Sequence, residues 1–257
     1  MSFDIAFISF NRDQDQLVPG LKSIIKNVPN YNEIIVVWDD FVRERPIDFD
    51  QVQEEIQHKI RVVKHTELYQ WPESLGRWGW VRQQLAKLLC YTYSTSDYTW
   101  VCDGDVLVTG DPELFYQGKP VLRYDHNKPA RIEPAYNQFT TNCFKIDPVY
   151  EYSFVGSSAL MDNSICQEMD NFCQQNYGKS VVECVRELIE GEHDQLPCCV
   201  EFASYGNYCW HYHPDKFHLD HANWNYAPNM KLNLPLQIMW QLFNKDLDIA
   251  ERIAYGH

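Results

Sequence analysis

Three apolar segments, each followed by a polar stretch, alternate along the first quarter of the chain. The apolar segments run from Asp4 to Phe10, from Glu33 to Trp38 and from Lys59 to Lys64. Between them, apolar residues recur at the spacing of amphipathic helices, at Leu17, Leu21, Ile24 and Ile25 and again at Val52 and Ile56. This alternation of strand and helix predicts βαβ units and a parallel sheet.

The middle of the chain continues the alternation with longer elements. We expect a helix from Trp80 to Tyr93, a buried strand from Thr99 to Cys102, a strand from Val121 to Tyr124 and a helix from Asn163 to Gln175. Asn127 to Tyr150 is rich in Pro, Asn and aromatic residues and is interpreted as a long functional loop. No repeat or linker divides the chain. The predicted fold class is therefore α/β, with a Rossmann-like, mostly parallel central sheet flanked by helices, in a single domain over residues 1–257.

The charge of the chain restricts its partners. Its 36 acidic and 22 basic residues give a formal net charge of -14, which would repel a phosphate backbone, and no run of Lys and Arg builds a local exception. Nucleic acid is therefore not expected as a partner. A divalent cation and a few placed Arg or Lys residues would still allow an anionic nucleotide diphosphate to bind.

Hydropathy and cysteine usage bear on the location of the protein. No stretch approaches the ~18 to 20 apolar residues that span a bilayer, and the first residues show no basic start or cleavage site. The nine cysteines are odd in number and form no CxxC pair, which favours reduced thiols. We therefore expect a cytoplasmic protein without a transmembrane segment.

Polar residues follow the predicted strands at the edge where ligands of open α/β sheets collect. After the first strand the candidates are Ser9, Phe10, Asn11 and Arg12, and after the second strand they are Asp39 and Asp40. These residues are the first candidates for contact with a nucleotide.

Asp103, Gly104 and Asp105 follow the predicted buried strand directly and form the strongest candidate site. Two carboxylates one residue apart can reach one cation when the chain turns between them, and Gly104 lacks the Cβ that would obstruct such a turn. Carboxylate oxygens are the ligands that Mg²⁺ and Mn²⁺ prefer, together with substrate phosphates. The same residues also form ordinary surface turns, but the apolar segments on both sides favour a functional site.

Three segments of the chain carry a family resemblance. They read SDYTWVCDGDVLV from Ser96 to Val108, WGWVRQQLAKL from Trp78 to Leu88, and EFASYGNY from Glu201 to Tyr208. The first resembles the DxD motif of GT-A glycosyltransferases. The other two are similar to the preceding helix and to a downstream segment in a bacterial and phage subgroup of that family. The resemblance covers roughly residues 3 to 213 and keeps the order of the family's motifs.

The resemblance implies a GT-A fold, a UDP- or GDP-sugar donor, and Mn²⁺ or Mg²⁺ as the cation. It also implies a nucleotide-sugar-binding half over residues 1–108 and an acceptor-binding half over residues 109–257. Asp103 and Asp105, with Gly104 between them, are carried over as the segment that binds the metal and the diphosphate. The resemblance further suggests, by position, Asp39 near the base, the Ser9 to Arg12 loop near the nucleoside, and Arg82, Gln83 or Lys87 near the donor sugar or phosphates.

Two carboxylates compete for the role of catalytic base or acceptor ligand. Glu201 is the first choice, because an inverting transfer needs a base that takes the proton of the acceptor hydroxyl. The alternative interpretation of Glu201 is a surface glutamate on a strand. Asp194 is the rival candidate, since it forms an acid/base pair with the neighbouring His193 in the sequence. If the reaction retains configuration, Glu201 would orient the acceptor instead.

Many members of the family add a C-terminal histidine to the metal, and four histidines compete for this position here. His213 is the first choice, with His211 or His221 as alternatives and His218 as a further candidate. A separate zinc site is the competing hypothesis for this region, because Cys209, His211 and His213 alternate and would share one face of a strand. No CxxC or HxxxH pattern completes a set of four ligands.

The leading functional hypothesis is transfer of a sugar from a nucleotide-diphospho-sugar to a hydroxyl group of a glycan or other acceptor. A sugar nucleotidyltransferase would use a similar sheet and cation, but no Gly-rich phosphate loop follows the first strand. The third hypothesis is a non-catalytic carbohydrate-binding protein, since aromatic faces stack on sugar rings. The tryptophans in the regions assigned to the site are Trp71, Trp78, Trp80, Trp210 and Trp224. The oligomeric state stays open.

Overall fold

The computed structural model describes residues 1–9, 14–41, 47–71, 79–124, 137–149, 151–191, 201–221, 224–226 and 238–240. Its strands are β1 (Phe3–Ser9), β2 (Ile34–Trp38), β3 (Arg61–Lys64), β4 (Tyr98–Asp103), β5 (Leu107–Val108), β6 (Phe115–Tyr116), β7 (Lys119–Tyr124), β8 (Ser158–Asp162), β9 (His218–His221), β10 (Trp224–Tyr226) and β11 (Ile238–Trp240). Its helices are α1 (Gln14–Asn27), α2 (Phe49–Ile56), α3 (His65–Leu68), α4 (Gly79–Leu88), α5 (Cys90–Tyr93), α6 (Gln138–Phe144), α7 (Asn163–Tyr177), α8 (Val181–Gly191) and α9 (Glu201–Tyr212).

A five-stranded sheet in the order β3-β2-β1-β4-β8 forms the centre of the fold. β1 pairs in parallel with β2 and β4, and β2 pairs in parallel with β3, while β8 runs antiparallel to β4. Every residue of β1 is buried, as expected for a parallel strand with both faces covered. The prediction of an α/β fold with a mostly parallel central sheet flanked by helices is confirmed.

Alternate side chains of β1 enter two hydrophobic clusters, one on each face of the sheet. Ile5 and Phe7 belong to the cluster that contains apolar residues of α1 and α2. Ala6 and Ile8 belong to the cluster that contains apolar residues of α4, α7 and α9. Neighbouring residues of a strand point to opposite faces. A shift of β1 by one residue would therefore move each set of side chains to the opposite face of the sheet, away from the cluster it packs in.

Several elements differ from the sequence-based expectations. The single helix predicted from Trp80 to Tyr93 is divided, because Leu89 has φ -86 and ψ 14 between α4 and α5. The segment predicted as a long loop contains α6. β8 is absent from the prediction, since its five residues, SALMD, show neither strict alternation nor a continuous apolar run. Its position depends on pairing with β4.

The strand predicted around Cys209, His211 and His213 is wrong, because Cys209 and His211 belong to α9 and His213 follows the last residue of that helix. Residues two apart on a helix point about 200° away from each other, so Cys209 and His211 do not share a face. Glu201 to Cys209 is buried throughout, and a helix covered on all sides lacks the apolar stripe that reveals a helix in a sequence. The zinc hypothesis loses its geometric basis.

Two three-stranded sheets, in the orders β6-β7-β9 and β10-β11-β5, are separate from the central sheet. β7 pairs antiparallel with β6 and parallel with β9. β10 and β11 pair in parallel, and β11 runs antiparallel to β5. Because β5 follows the Asp103 to Asp105 turn closely, this pairing ties a C-terminal segment to the neighbourhood of that turn.

Seven cysteines lie in the described part of the chain, and all of them are buried free thiols. They are Cys90, Cys102, Cys143, Cys166, Cys173, Cys184 and Cys209. Within the same described ranges, no helix is long and apolar enough to cross a membrane.

Asp4 lies near the amino-terminal ends of the parallel strands, at the edge of the sheet opposite their carboxyl ends. Its buried carboxylate accepts hydrogen bonds from Ser94 Oγ at 2.7 Å, the Thr95 backbone N–H at 2.9 Å, Ser96 Oγ at 2.9 Å and Asn32 Nδ2 at 3.0 Å. Burial alone would raise the pKa of Asp4, but these hydrogen bonds outweigh burial and lower the pKa below its ordinary value. The carboxylate therefore fixes the turn between α5 and β4.

Replacing Asp4 with alanine is expected to lower the free energy of unfolding by about 2–4 kcal/mol at pH 7, because several buried donors lose a charged acceptor. Since the folded-state pKa is lowered, this stabilisation is complete above the unfolded-state pKa of ~3.9 and is lost as the pH falls through the folded-state pKa. Urea denaturation at pH 7 and pH 3 measures both effects. The exposed Asp97 provides a control in Asp97→Ala, and an Asp4→Ala loss that is equal at both pH values would contradict the assignment.

Candidate active site

The carboxyl ends of the parallel strands bring together four buried polar residues. β1 ends at Ser9, β2 is followed by Asp39, β3 is followed by His65, and β4 ends at Asp103. The Asp39 backbone N–H donates to the Ser9 carbonyl at 3.2 Å, so the ends of β1 and β2 remain joined beyond the strands. This is the edge of an open α/β sheet at which ligands bind.

α4 carries two basic residues to this edge. Arg82 and Lys87 are both buried, so neither is a solvated surface charge. Arg82 pairs with Asp39 after β2, whereas Lys87 pairs with Asp103 at the end of β4. Gln83 is also buried on this helix. Because β1 lies between β2 and β4 in the sheet, α4 links two strands that are not neighbours.

Gly104 packs directly against the end of β1. A Cβ atom at this position would lie 2.4 Å from the Ile8 carbonyl oxygen, which is closer than nonbonded atoms approach. Asp103 is the sheet partner of Ile8, and the chain turns at residues 104–105 with Asp105 half-buried. The glycine is therefore required by the close approach of two backbones, in addition to the turn that the sequence indicates.

Lys87 joins Asp103 to Glu201 in one buried cluster. Its Nζ atom contacts Asp103 Oδ1 and donates a hydrogen bond to Glu201 Oε1 at 2.7 Å, although Glu201 lies 114 residues away in the sequence. The centre of the Phe202 ring lies 4.6 Å from the same Nζ atom. Lys87 is 2% exposed and Glu201 is 1% exposed, so water does not screen the charges of the cluster.

This cluster sets two carboxyl groups against one ammonium group. Burial alone would lower the pKa of Lys87, but Asp103 and Glu201 outweigh burial and raise that pKa, so the ammonium group stays charged. Burial raises the pKa of Glu201, although Lys87 acts in the opposite direction. Glu201 Oε2 is buried and has no hydrogen-bond partner among the described residues. The cluster would therefore be stabilised by a further cation or donor.

Asp39 and Arg82 form a second buried ion pair at the same edge. Arg82 Nη2 donates to Asp39 Oδ2 at 2.7 Å, and Nε donates to the same oxygen at 3.2 Å. The guanidinium carbon of Arg82 lies 5.1 Å from the centre of the Phe41 ring. The family resemblance suggests Asp39 near the base and Arg82 near the donor sugar or phosphates. The structure joins them, so each fixes the orientation of the other.

His65 and Tyr69 complete this second cluster and are absent from the sequence-based candidates. The Tyr69 hydroxyl lies 3.1 Å from His65 Nδ1 and donates to the Arg82 carbonyl at 2.9 Å. Burial lowers the pKa of His65 to about 4, although Asp39 acts in the opposite direction, so the ring is neutral at pH 7. His65 follows the third predicted strand directly, and the strand-end rule that selects Asp39 would have selected it as well.

Some of the predicted site residues, namely Phe10, Asn11, Arg12 and Asp194, lie outside the described residues, as do His193 and Trp78. Of the other candidates, Glu201 is not a surface residue on a strand, because it begins α9 and is buried.

His211 and His213 lie near the opposite end of α9 from the Lys87 cluster. The helix rises 1.5 Å per residue, so His211 is about 15 Å from Glu201 along the axis. His213 Nε2 lies 3.1 Å from Glu168 Oε2, an acidic partner on α7. The structure therefore does not bring these two histidines to Asp103.

His218 and His221 lie on β9 and contact aromatic rings. His218 stacks on Tyr116 with 4.2 Å between ring centres, and His221 meets Tyr124 edge-on at 5.8 Å. Across the residues that the structure describes, no group of three or more His, Cys, Asp or Glu side chains could hold a metal ion. Any cation at Asp103 would therefore take its remaining ligands from substrate, water or residues outside the described ranges.

Comparison with known proteins identifies the fold. No protein-family description matches the sequence, and no curated protein matches it. Among solved structures, an active-site mutant of LgtC is similar with a TM-score of 0.60 at 15% identity, over 98% of this chain and 95% of that chain. The galactosyltransferase LgtC in complex with donor and acceptor sugar analogs gives a TM-score of 0.53 at 12% identity, over the same shares of both chains.

A third similar structure belongs to a longer protein. The glycosyltransferase GlyE of Streptococcus pneumoniae TIGR4 has a TM-score of 0.44 at 15% identity, and the match covers 84% of this chain but only 44% of that chain. At these identities the similarity concerns the fold alone. The chain has the GT-A fold of LgtC, so the fold that the sequence motifs imply is confirmed.

Proposed function

We propose that this chain is a metal-dependent glycosyltransferase that moves a sugar from a nucleotide-diphospho-sugar to a hydroxyl group of a glycan or other acceptor. The observation that carries the proposal is the position of Asp103, Gly104 and Asp105 at the carboxyl end of a buried central strand. The fold supports it, because LgtC is a galactosyltransferase with donor and acceptor sugar analogs bound. A UDP- or GDP-sugar is the proposed donor.

Asp103 and Asp105 are the proposed ligands of Mn²⁺ or Mg²⁺. Their carboxylates are the hard oxygen ligands that these ions take, with substrate phosphates completing the coordination. The two carboxyl groups around Lys87 leave this region with more negative than positive charge, which also favours a cation. When bound, the cation would supply Lewis-acid stabilisation of the charge on the departing nucleoside diphosphate.

Arg82 and Lys87 supply fixed positive charge at the same edge of the sheet. Asp39 and Asp103 hold these two side chains in place within the protein. Charges that are already oriented stabilise a developing negative charge without a further cost of reorganisation. We therefore assign both residues to the electrostatic environment of the donor diphosphate, and the predicted role of Gln83 next to them stays a prediction.

The burial of Glu201 bears on the predicted acceptor side of the reaction. Glu201 is buried and bonded to Lys87, which argues against direct contact with an acceptor hydroxyl. Asp194 stays the predicted base, although it lies outside the described residues. The division into a nucleotide-sugar half over residues 1–108 and an acceptor half over residues 109–257 is part of the same proposal.

A thermal-shift panel of UDP-, GDP- and CMP-sugars, each with Mn²⁺ and with EDTA, tests the proposed function. A ligand that binds only the folded state stabilises it by about 2.7 kcal/mol at 100 times its Kd. We expect one UDP- or GDP-sugar to raise the melting temperature in Mn²⁺ but not in EDTA.

Two other results would favour the competing functions. Glycan binding that persists in EDTA and does not change with nucleotide would favour a carbohydrate-binding protein. Pyrophosphate release from a sugar 1-phosphate and a nucleoside triphosphate would favour a nucleotidyltransferase.

A further inference from the structure

Lys87 is bound by two carboxylates, and only one of them belongs to the proposed cation site. Asp103 lies at the end of β4, whereas Glu201 lies at the start of α9. All three side chains are buried, so water cannot readily replace a lost partner. A buried charge that loses its partner is strongly destabilising. The cost of separating Lys87 from one carboxylate therefore depends on whether the other carboxylate still pairs with it.

A divalent cation that binds Asp103 competes with Lys87 for the same carboxylate. The ammonium group already contacts Asp103 Oδ1, and two positive charges repel each other strongly where water is excluded. Glu201 and the Phe202 ring contact Nζ independently of Asp103. They would keep the ammonium group paired after the cation takes Asp103.

We propose that Lys87 and Glu201 together set the affinity of the Asp103 site for a divalent cation. Lys87 is the competitor of the cation, and Glu201 is the partner that retains the ammonium group when the cation binds. This inference rests on the proposed function, because it takes Asp103 as a cation ligand. Both residues act on the cation through Asp103. Lys87 weakens cation binding and Glu201 strengthens it, although the two residues form one ion pair.

Calorimetric titration with Mn²⁺ alone, at a fixed pH and without nucleotide, tests this inference. Lys87→Met removes the competing charge at similar length, and we expect it to tighten Mn²⁺ binding about tenfold. Glu201→Gln removes the retaining charge at the same size, and we expect it to weaken binding about tenfold. The double variant has the same net charge as the wild type and is expected to bind Mn²⁺ with an affinity close to that of the wild type.

Opposite shifts in the two single variants distinguish this role from a structural one. If both variants weaken Mn²⁺ binding together with a lower melting temperature, or if neither changes it, the inference is overturned. Lys87→Arg keeps the positive charge and provides a second test if the Lys87→Met variant does not fold. It should bind Mn²⁺ no more tightly than the wild type, and tighter binding would count against the competition.

Asp103→Asn separates this inference from the proposed function. A wild-type protein that does not bind Mn²⁺, or an Asp103→Asn variant that binds it unchanged, would contradict the proposed function itself. If Asp103→Asn loses Mn²⁺ binding but Lys87→Met and Glu201→Gln do not shift the affinity in opposite directions, only the roles proposed for Lys87 and Glu201 are overturned.

Discussion

Replacing Asp103 with asparagine is expected to reduce kcat/KM for sugar transfer about a thousandfold, which corresponds to about 4 kcal/mol of transition-state stabilisation. The amide keeps the size of the side chain but loses the charge proposed to hold the cation. Lys87 keeps Glu201 as a charged partner, so the variant should remain folded. Donor consumption with the nucleotide sugar that responds in the thermal-shift panel, at saturating Mn²⁺, measures the effect.

The exposed Asp97, which directly precedes β4, provides the matched control. Asp97→Asn makes the same chemical change at the opposite end of the strand that carries Asp103, about 20 Å away along the strand, and should leave kcat/KM within about twofold of the wild type. An Asp103→Asn variant that keeps more than a tenth of the wild-type activity would remove the basis for a cation at this residue.

Replacing Asp39 with alanine is expected to lower the free energy of unfolding by about 3–5 kcal/mol, because Arg82 would remain buried without its carboxylate. The side chains of Arg82 and Asp39 are only 4% and 0% exposed. Neither the neutral His65 ring nor the Phe41 ring can replace the lost charge. Urea denaturation followed by circular dichroism measures the loss.

Glu33→Ala is a control with nearly the same ion-pair geometry at the surface. Arg61 donates to Glu33 from Nε at 3.0 Å and from Nη2 at 2.8 Å, but the two side chains are 37% and 33% exposed. Solvated pairs contribute about 0–1 kcal/mol, so this variant should lose far less stability than Asp39→Ala. Equal losses of stability in the two variants would show that burial does not determine how much each ion pair contributes.

The central strands were predictable because each carries its own local signal. β1, β2 and β4 are buried on both faces, so they appear in the sequence as short, nearly continuous apolar runs. Their parallel order then places the residue after each strand at one edge. The same reasoning identifies Asp39 and Asp103 as site candidates, and it would have identified His65.

The environment of Glu201 was not predictable from local pattern. Its helix, α9, is buried from Glu201 to Cys209 and contains Gly206, so neither an apolar stripe nor strong helix propensity marks it. A Cβ at Gly206 would lie 2.2 Å from the Phe154 ring, which shows that close packing with a distant segment selects this residue. Secondary structure here follows from tertiary contacts.

The pairing of the charged residues was also beyond the sequence. Lys87 and Arg82 lie on a predicted helix near the acidic motif, and this placement makes them candidates. Their partners come from elsewhere in the chain, and the contact of Lys87 with Glu201 joins residues 114 positions apart. Periodicity describes one element at a time, so it cannot indicate which charges meet when elements pack.

Diffraction data collected at the manganese absorption edge, from a crystal soaked with Mn²⁺ and UDP or GDP, test the central claim most directly. The account predicts an anomalous peak in contact with the Asp103 and Asp105 carboxylates and with the diphosphate of the nucleotide. A nucleotide bound elsewhere, or no anomalous peak beside these two aspartates, would contradict it.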